Sequence, residues 1–378
     1  MNEASPRSQG SHLTISRRAA LQLGVVAVAA LAAWLPVPAS VVERWYATGL
    51  YPILQRLITP VSNAIPFAIF DLLILGGAAG LAWVLWRGAR SARRARRLGP
   101  LLSALGTVGA IAAGAYVVFL LLWGLNYRRE GMSERLVVAD EPAHAGEVVA
   151  LGLHAVSQMN QLHADAHRTG WSQAPWRDPE LVEAFHDTQQ MLSDARPATP
   201  GRLKWSILGL YFRWASIDGM IDPFALEVLA NPDLLPWEGP FVAAHEWAHL
   251  AGYAHEAEAN FVGWLMCVRG DAGARYSGWL HVYWQVAGTV GPDDRERLAE
   301  ALEPGPRRDI TAIYDRITRG RLSLLHDASW GVYDQYLRAH RVEGGVRSYG
   351  EVVDLILRAR FEDGWVPVRR SQPATVRE

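Results

Sequence analysis

The chain has 378 residues, half of them apolar and 20% charged, with one cysteine and a net charge of -1. That length allows two or three domains, the composition excludes collagen-like, repeat and disordered architectures, and a lone Cys267 excludes a disulfide framework or a cysteine-built zinc site. The near-neutral total conceals an asymmetry: residues 1–129 carry thirteen Arg, no Lys and three acids, whereas residues 130–378 carry twenty-four basic and thirty-five acidic residues, which argues against nucleic acid as a partner.

Three apolar stretches occupy the basic part, at about residues 19–36, 65–86 and 98–125. A hydrocarbon core about 30 Å thick is crossed by roughly 20 helical residues, so residues 1–129 read as a membrane anchor of three transmembrane helices. The loop between the second and third stretches holds Arg87, Arg90, Arg93, Arg94, Arg96 and Arg97, and so dense a cluster is retained in the cytoplasm. The segment Val37–Ala64 holds only Glu43, Arg44 and Arg56 as charges and is expected to face outward. Residues 130–378 then lie outside the cytoplasm, and Asp71 lies near the outer interface. Ser16-Arg17-Arg18 before the first stretch and Val37-Pro38-Ala39-Ser40 after it also suit a cleaved export signal, which leaves the later topology unchanged.

From about Glu130 the composition is that of an ordinary soluble domain. Helical spacing covers Glu147–His167 and Pro179–Asp194, and Leu203–Phe212 alternates as a short strand. A helix over Pro240–Ala251 is stopped by Gly252, another runs from Ala254 to Val268, and more helices fill Trp279–Arg319 and Tyr349–Arg360. Trp171, Trp176, Trp205, Trp214 and Trp237 suit core packing, with contact to the bilayer as the alternative.

The chemistry centres on His245-Glu246-Trp247-Ala248-His249. Histidines four apart on a helix share one face and reach a single Zn²⁺, while the intervening glutamate sits beside the ion as a base. The flanking Phe241, Val242, Ala243, Ala244 and Leu250 mark a buried helix, where two imidazoles and a carboxylate need partners. A third ligand has two readings. His255 completes HExxHxxGxxH, the metzincin spacing; Glu256 opens the next helix with Asn260 one turn on, the gluzincin arrangement, in which Asn260 bonds a ligand histidine. Glu258 points elsewhere on that helix and is a further alternative ligand. Tyr276, His281, Tyr253 and His255 are candidate oxyanion stabilisers, Tyr276 foremost. His163 and His167 are also four apart but lack the intervening glutamate, and read as a solvated helix face.

The segment GPFVAAHEWAHLAGYAHEAEANFVGWL resembles a bacterial family of membrane proteins known only as a domain of unknown function, whose members look like zinc peptidases. The resemblance extends to Trp123-Gly124-Leu125-Asn126-Tyr127-Arg128, to Tyr276-Ser277-Gly278, to Tyr333–Leu337 and to Ser348–Leu355, and runs from the first span to about Arg360. Members vary at the position of His255 and keep the glutamates, so the resemblance implies Glu256 as third ligand with Asn260 behind it. It also implies a multi-pass protein of the bacterial cell membrane.

The expected fold is mainly α: three transmembrane helices, then a mostly helical, zincin-like extracytoplasmic domain (residues 130–378) with a small strand element. The expected activity is peptide hydrolysis with one Zn²⁺ held by His245, His249 and Glu256, and Glu246 as general base. Expected partners are a peptide or protein substrate and the lipid bilayer; no feature specifies an oligomeric state. The alternative is an inactive or structural metal-binding scaffold of the envelope. Intramembrane proteolysis is disfavoured, because the HExxH segment lies far beyond the last span.

Overall fold

The computed structural model describes residues 16–193, 195–339 and 351–370. The chain is mainly helical. Its elements are α1 (Arg17–Trp34), α2 (Ala39–Val42), a π-helical segment (Glu43–Leu50), α3 (Tyr51–Ala64), α4 (Ile69–Ala95), α5 (Gly99–Leu122), a 3₁₀ segment (Gly124–Arg128), α6 (Met132–Arg135), α7 (Ala145–Thr169) and α8 (Pro179–Leu192). There follow β1 (Leu203–Lys204), α9 (Gly209–Ala215), β2 (Gly219–Asp222), β3 (Glu227–Ala230), α10 (Gly239–Leu250), α11 (Glu256–Cys267) and α12 (Ala272–Thr289). Last come α13 (Pro292–Ala301), α14 (Pro304–Gly320), α15 (Ser323–Ala339), α16 (Glu351–Arg358) and the hairpin β4 (Phe361–Glu362) and β5 (Val366–Pro367). Helices α1, α4 and α5 are each long and apolar enough to cross a membrane.

Two compact units form. One comprises Met1–Pro36 and Leu75–Leu120, the other Val37–Ile74 and Leu121–Glu378. In the first, Gly88 of α4 allows so close an approach of α5 that a Cβ there would lie 2.5 Å from that of Ala104. Thr107 Oγ1 on α5 accepts hydrogen bonds from Arg18 and Gln22 of α1 at 3.1 and 3.0 Å.

The second unit takes in residues 37–74, which the sequence reading assigned to the anchor. Helix α3 explains why. Its buried face is polar: Gln55, Thr59, Ser62 and Asn63 bond the backbone at Thr199, Leu226, Ala225 and Pro200. The segment between the first two apolar helices is therefore not a free loop but part of this unit's wall. Asp71, at the start of α4, accepts from Ser206 Oγ and from the Ile207 amide.

The expected strand over Leu203–Phe212 is only two residues long. Lys204 turns inward to a buried ion pair with Glu227 at 2.6 Å, Trp205 and Ile207 after it are exposed, and the chain then enters α9, where Phe212 and Ala215 are buried and Leu210 is exposed. The sheet is built mainly from two strands that sequence patterning misses. Its order is β1-β3-β2, with β1 parallel and β2 antiparallel to the central β3, and register Gly219↔Ala230 through Asp222↔Glu227. Asp222 folds the connection by accepting from the Phe224 and Ala225 amides, an Asx turn.

The expected helices at 147–167, 179–194, 240–251 and 254–268 appear as α7, α8, α10 and α11 with small shifts of boundary; Asp194 lies outside the described residues. The stretch 279–319 resolves into the end of α12 and all of α13 and α14, and α15 is a helix that patterning did not reveal. Ser348 and Tyr349 lie outside the described residues.

Candidate metal centre

Helix α10 carries the HExxH segment, and both of its ends are tied by residues distant in sequence. At its start the Phe241 amide donates to Ser277 Oγ of α12 at 3.0 Å. At its end the last carbonyls have no partner within the helix. The indole of Trp123 donates to the His249 carbonyl at 3.0 Å, and the Tyr51 hydroxyl to that of Leu250 at 2.8 Å. The chain leaves by a Schellman turn: the Tyr253 amide bonds the Ala248 carbonyl, the Gly252 amide bonds that of His249, and Gly252 takes φ +89°. Arg129 fixes this turn from outside. Its Nη1 donates to the Gly252 carbonyl, while Nε and Nη2 form a fork with Glu43 at 2.8 and 2.7 Å. Burial works to raise the Glu43 carboxyl, but Arg129 and Arg135 outweigh it and hold it below the usual range.

The turn returns α11 across α10. At the crossing, a Cβ on Gly263 would lie 3.1 Å from the His245 amide nitrogen, so α11 rests on the backbone of the HExxH helix. Glu256, at the start of α11, thereby reaches both histidines: Oε2 is 3.3 Å from His245 Nε2, and Oε1 is 3.7 Å from His249 Nε2. The three groups offer ligand atoms all within 4.8 Å of one another. His249 Nδ1 lies 2.7 Å from the Tyr253 carbonyl, which only accepts, so Nδ1 carries the proton and Nε2 faces the cluster.

Electrostatics follow from this packing. Burial works to raise Glu256, but the charge of His249 and hydrogen bonds from both histidines hold it well below the usual carboxylate range. Burial works to lower His249, but Glu256 carries it up to about 9. Glu246 is pushed above its ordinary value by burial, with Glu256 and Asp218 adding to the rise and the two histidines opposing it. Its Oε2 is buried without a hydrogen-bond partner among the described residues. The backbone of β2 lies against this carboxylate: a Cβ on Gly219 would be 2.7 Å from Glu246 Oε1.

The other candidates are placed as follows. His255 is the residue before α11, with its ring 5.9 Å from that of Tyr127, and does not join the cluster. Glu258 is buried elsewhere: it accepts from the Met132 amide at 2.6 Å and faces Arg135. Asn260 is buried, but it forms no hydrogen bond with a ligand histidine; its Nδ2 and His245 Nδ1 are both unpaired among the described residues. The guanidiniums of Arg129 and Arg135 lie 5.1 and 5.3 Å from the centroid of the Tyr253 ring. Tyr276 does not present its hydroxyl as an oxyanion donor: it is buried and bonded to Asp309, beside His163 and His167. His163 is half-buried and His167 exposed, and both rings also turn toward the buried Asp309. His281 stacks on Phe241 at 3.6 Å, and burial and the neighbouring His245 hold it neutral, well below the usual histidine range.

Sequence reasoning missed Gly219, Trp123, Tyr51 and Arg129 as builders of the site. Only Trp123 carried a signal, as part of the segment through which the family resemblance was drawn.

These features define a class: a mainly helical protein with three helices of membrane-spanning character and a buried His–His–Glu cluster on two successive helices. Residues 46–357 match the family described as Protein of unknown function (DUF3810), and the chain belongs to that family. No match was found among curated proteins or among solved structures.

The caps on α10 are testable without a ligand. Tyr51→Phe leaves the buried Leu250 carbonyl without its donor, a loss of about 1–3 kcal/mol. The full-length protein in detergent should unfold at a lower temperature than the parent, and Ile53→Ala on the exposed face of α3 should not reproduce the shift.

Proposed function

We propose that this protein is a membrane-anchored, zinc-dependent peptidase, in which His245, His249 and Glu256 hold the ion and Glu246 is the general base. The observation that carries the reading is the convergence of three ligand groups within 4.8 Å beside a buried carboxylate whose Oε2 has no partner among the described residues. Two imidazoles and one carboxylate are the donor set of catalytic zinc, which keeps a further position for water or substrate. The residues fit the ion in a second respect: His249 is already turned by the Tyr253 carbonyl to offer Nε2.

A divalent ion held there supplies Lewis acidity for water activation and carbonyl polarisation. Glu246, buried beside the cluster with Oε2 unpartnered among the described residues, takes the proton of the attacking water and passes it to the leaving amine. Gly219 lets β2 lie directly on Glu246, so this edge strand is where an extended peptide would lie.

The membrane reading supports a substrate close to the bilayer. Both ends of the segment 35–68 adjoin membrane-length helices, so it returns to the surface from which it left. Within it, α3 is amphipathic in an inverted sense: its polar face is buried in the protein, while Ile53, Leu57 and Val61 are 57%, 64% and 62% exposed. An apolar stripe at i, i+4 and i+8 turned outward suits lipid. Tyr51 of the same helix ties the end of α10. This reading is supported by the arginine-dense segment Arg87–Arg97, which is expected on the cytoplasmic side, with Val37–Ala64 on the other.

Two sets of outcomes follow. His245→Ala, His249→Ala and Glu256→Ala should each lose zinc in equilibrium dialysis, and His255→Ala and Glu258→Ala should retain it. Glu246→Gln should keep zinc and lose hydrolysis of unstructured peptides by at least about 100-fold, and Gly219→Ala should lower it by displacing Glu246. Undiminished hydrolysis by Glu246→Gln would overturn the mechanism, and a zinc-loaded parent that cuts nothing would favour the scaffold reading.

For topology, a reporter active only after export should work when fused after Glu130 and fail after Arg94. A dye on Leu57→Cys should be quenched by brominated lipid in vesicles; the native Cys267 is buried. Exclusive activity of the Arg94 fusion, or a dye seen only by aqueous quenchers, contradicts this placement.

A further inference from the structure

Away from the HExxH helix, a second group of side chains has the chemistry of a metal site. His163 and His167, four apart on α7, meet Asp309 of α14, and their ligand atoms all lie within 4.8 Å of one another. His167 Nε2 is 2.8 Å from Asp309 Oδ2, and His163 Nε2 is 3.4 Å from the same oxygen. The imidazole centroids are 4.2 Å apart, with both Nε2 atoms turned to one carboxylate oxygen. Tyr276 of α12 donates to that oxygen at 2.6 Å and so orients the carboxylate, as partners of metal-bound carboxylates do.

The surroundings separate this group from an incidental surface cluster. The Asp309 side chain is only 7% exposed, and among the described residues no Lys or Arg forms an ion pair with it. A buried carboxylate needs a compensating cation. Gly305, in the first turn of α14, lies so close to His163 that a Cβ there would be 2.5 Å from Cε1, which fixes that ring against the helix. Trp171 and Trp237 flank the His167 ring at 4.8 and 5.7 Å. His167 itself is 32% exposed, which leaves a path for an ion from solvent.

We propose that His163, His167 and Asp309 bind a second divalent metal ion, with zinc the best match to two imidazoles and a carboxylate. With three protein donors the fourth position falls to water, and the effect of the ion on the fold follows from the helices it joins. The ion joins α7 to α14, and α14 carries Arg316 seven residues beyond Asp309, on the same face. Arg316 bonds Asp218 at 2.8 Å and Glu238 at 2.6 Å, the residues that immediately precede β2 and α10. Metal at the second group therefore stiffens the strut that positions the edge strand and the HExxH helix. The proposal does not depend on the peptidase reading.

The test counts ions in full-length protein purified in detergent, stripped with chelator and dialysed against zinc. The parent should bind two ions per chain. The His163→Ala/His167→Ala double variant should bind one, His249→Ala should bind one, and the three substitutions combined should bind none. Asp309→Asn, which keeps the size of the side chain and can still accept from Tyr276, should also bind one with an unchanged circular dichroism spectrum. Zinc should raise the unfolding temperature of His249→Ala and not of His163→Ala/His167→Ala/His249→Ala. A double variant that binds as much zinc as the parent, or a His249→Ala variant that binds none, overturns the proposal. A parent with one ion that survives in His249→Ala upholds this site and overturns the first.

Discussion

The three carbonyls at the end of the HExxH helix and in the turn after it are the constraint on which the site depends. Those of His249 and Leu250 are buried, and a buried carbonyl left without a donor costs the fold about as much as a lost hydrogen bond. Trp123, Tyr51 and Arg129 supply them, reaching the carbonyls of His249, Leu250 and Gly252 from segments far away in the chain. With the turn held and Gly252 in its left-handed conformation, α11 can only run back across α10. That return brings Glu256 onto His245 and His249. A local motif is thus completed by long-range capping.

The same donors explain why the segment between the first two apolar helices belongs with the larger unit. Glu43 holds Arg129, Tyr51 holds Leu250, and the polar side chains of α3 hold backbone at residues 199–226. These contacts use up the polar face of α3 and leave its apolar face outward. In water such a helix would be inverted and unfavourable; against lipid it is the expected orientation. One short helix thus caps the HExxH helix from one face and turns apolar side chains outward on the other.

What could be read from the sequence was whatever is local. Histidines four apart, a glycine that stops the helix and a glutamate opening the next one are separated by a few residues, and helical geometry converts that spacing into proximity. The three membrane-length helices were readable because apolar runs of such length have few other uses. The sheet was not: β1 has two residues, β2 and β3 four each, and Lys204 and Glu227 are charged yet buried as a pair. Helix α3 escaped the reading of 37–64 because its polar residues face inward, opposite to the usual pattern. The His163–His167–Asp309 group was hidden because Asp309 stands 142 residues beyond His167. Tyr276 was singled out as the foremost oxyanion candidate, whereas its hydroxyl donates to Asp309.

X-ray absorption at the zinc edge tests the central claim most directly, on full-length protein carrying His163→Ala and His167→Ala so that only the HExxH site is populated. Scattering from two imidazoles and one carboxylate, with first-shell distances of about 2.0–2.2 Å, is the expected result. It should revert to solvent-like oxygen scattering, or to no retained zinc, in the same protein with Glu256→Ala. A first shell without imidazole, or one unchanged by Glu256→Ala, would contradict the site described here.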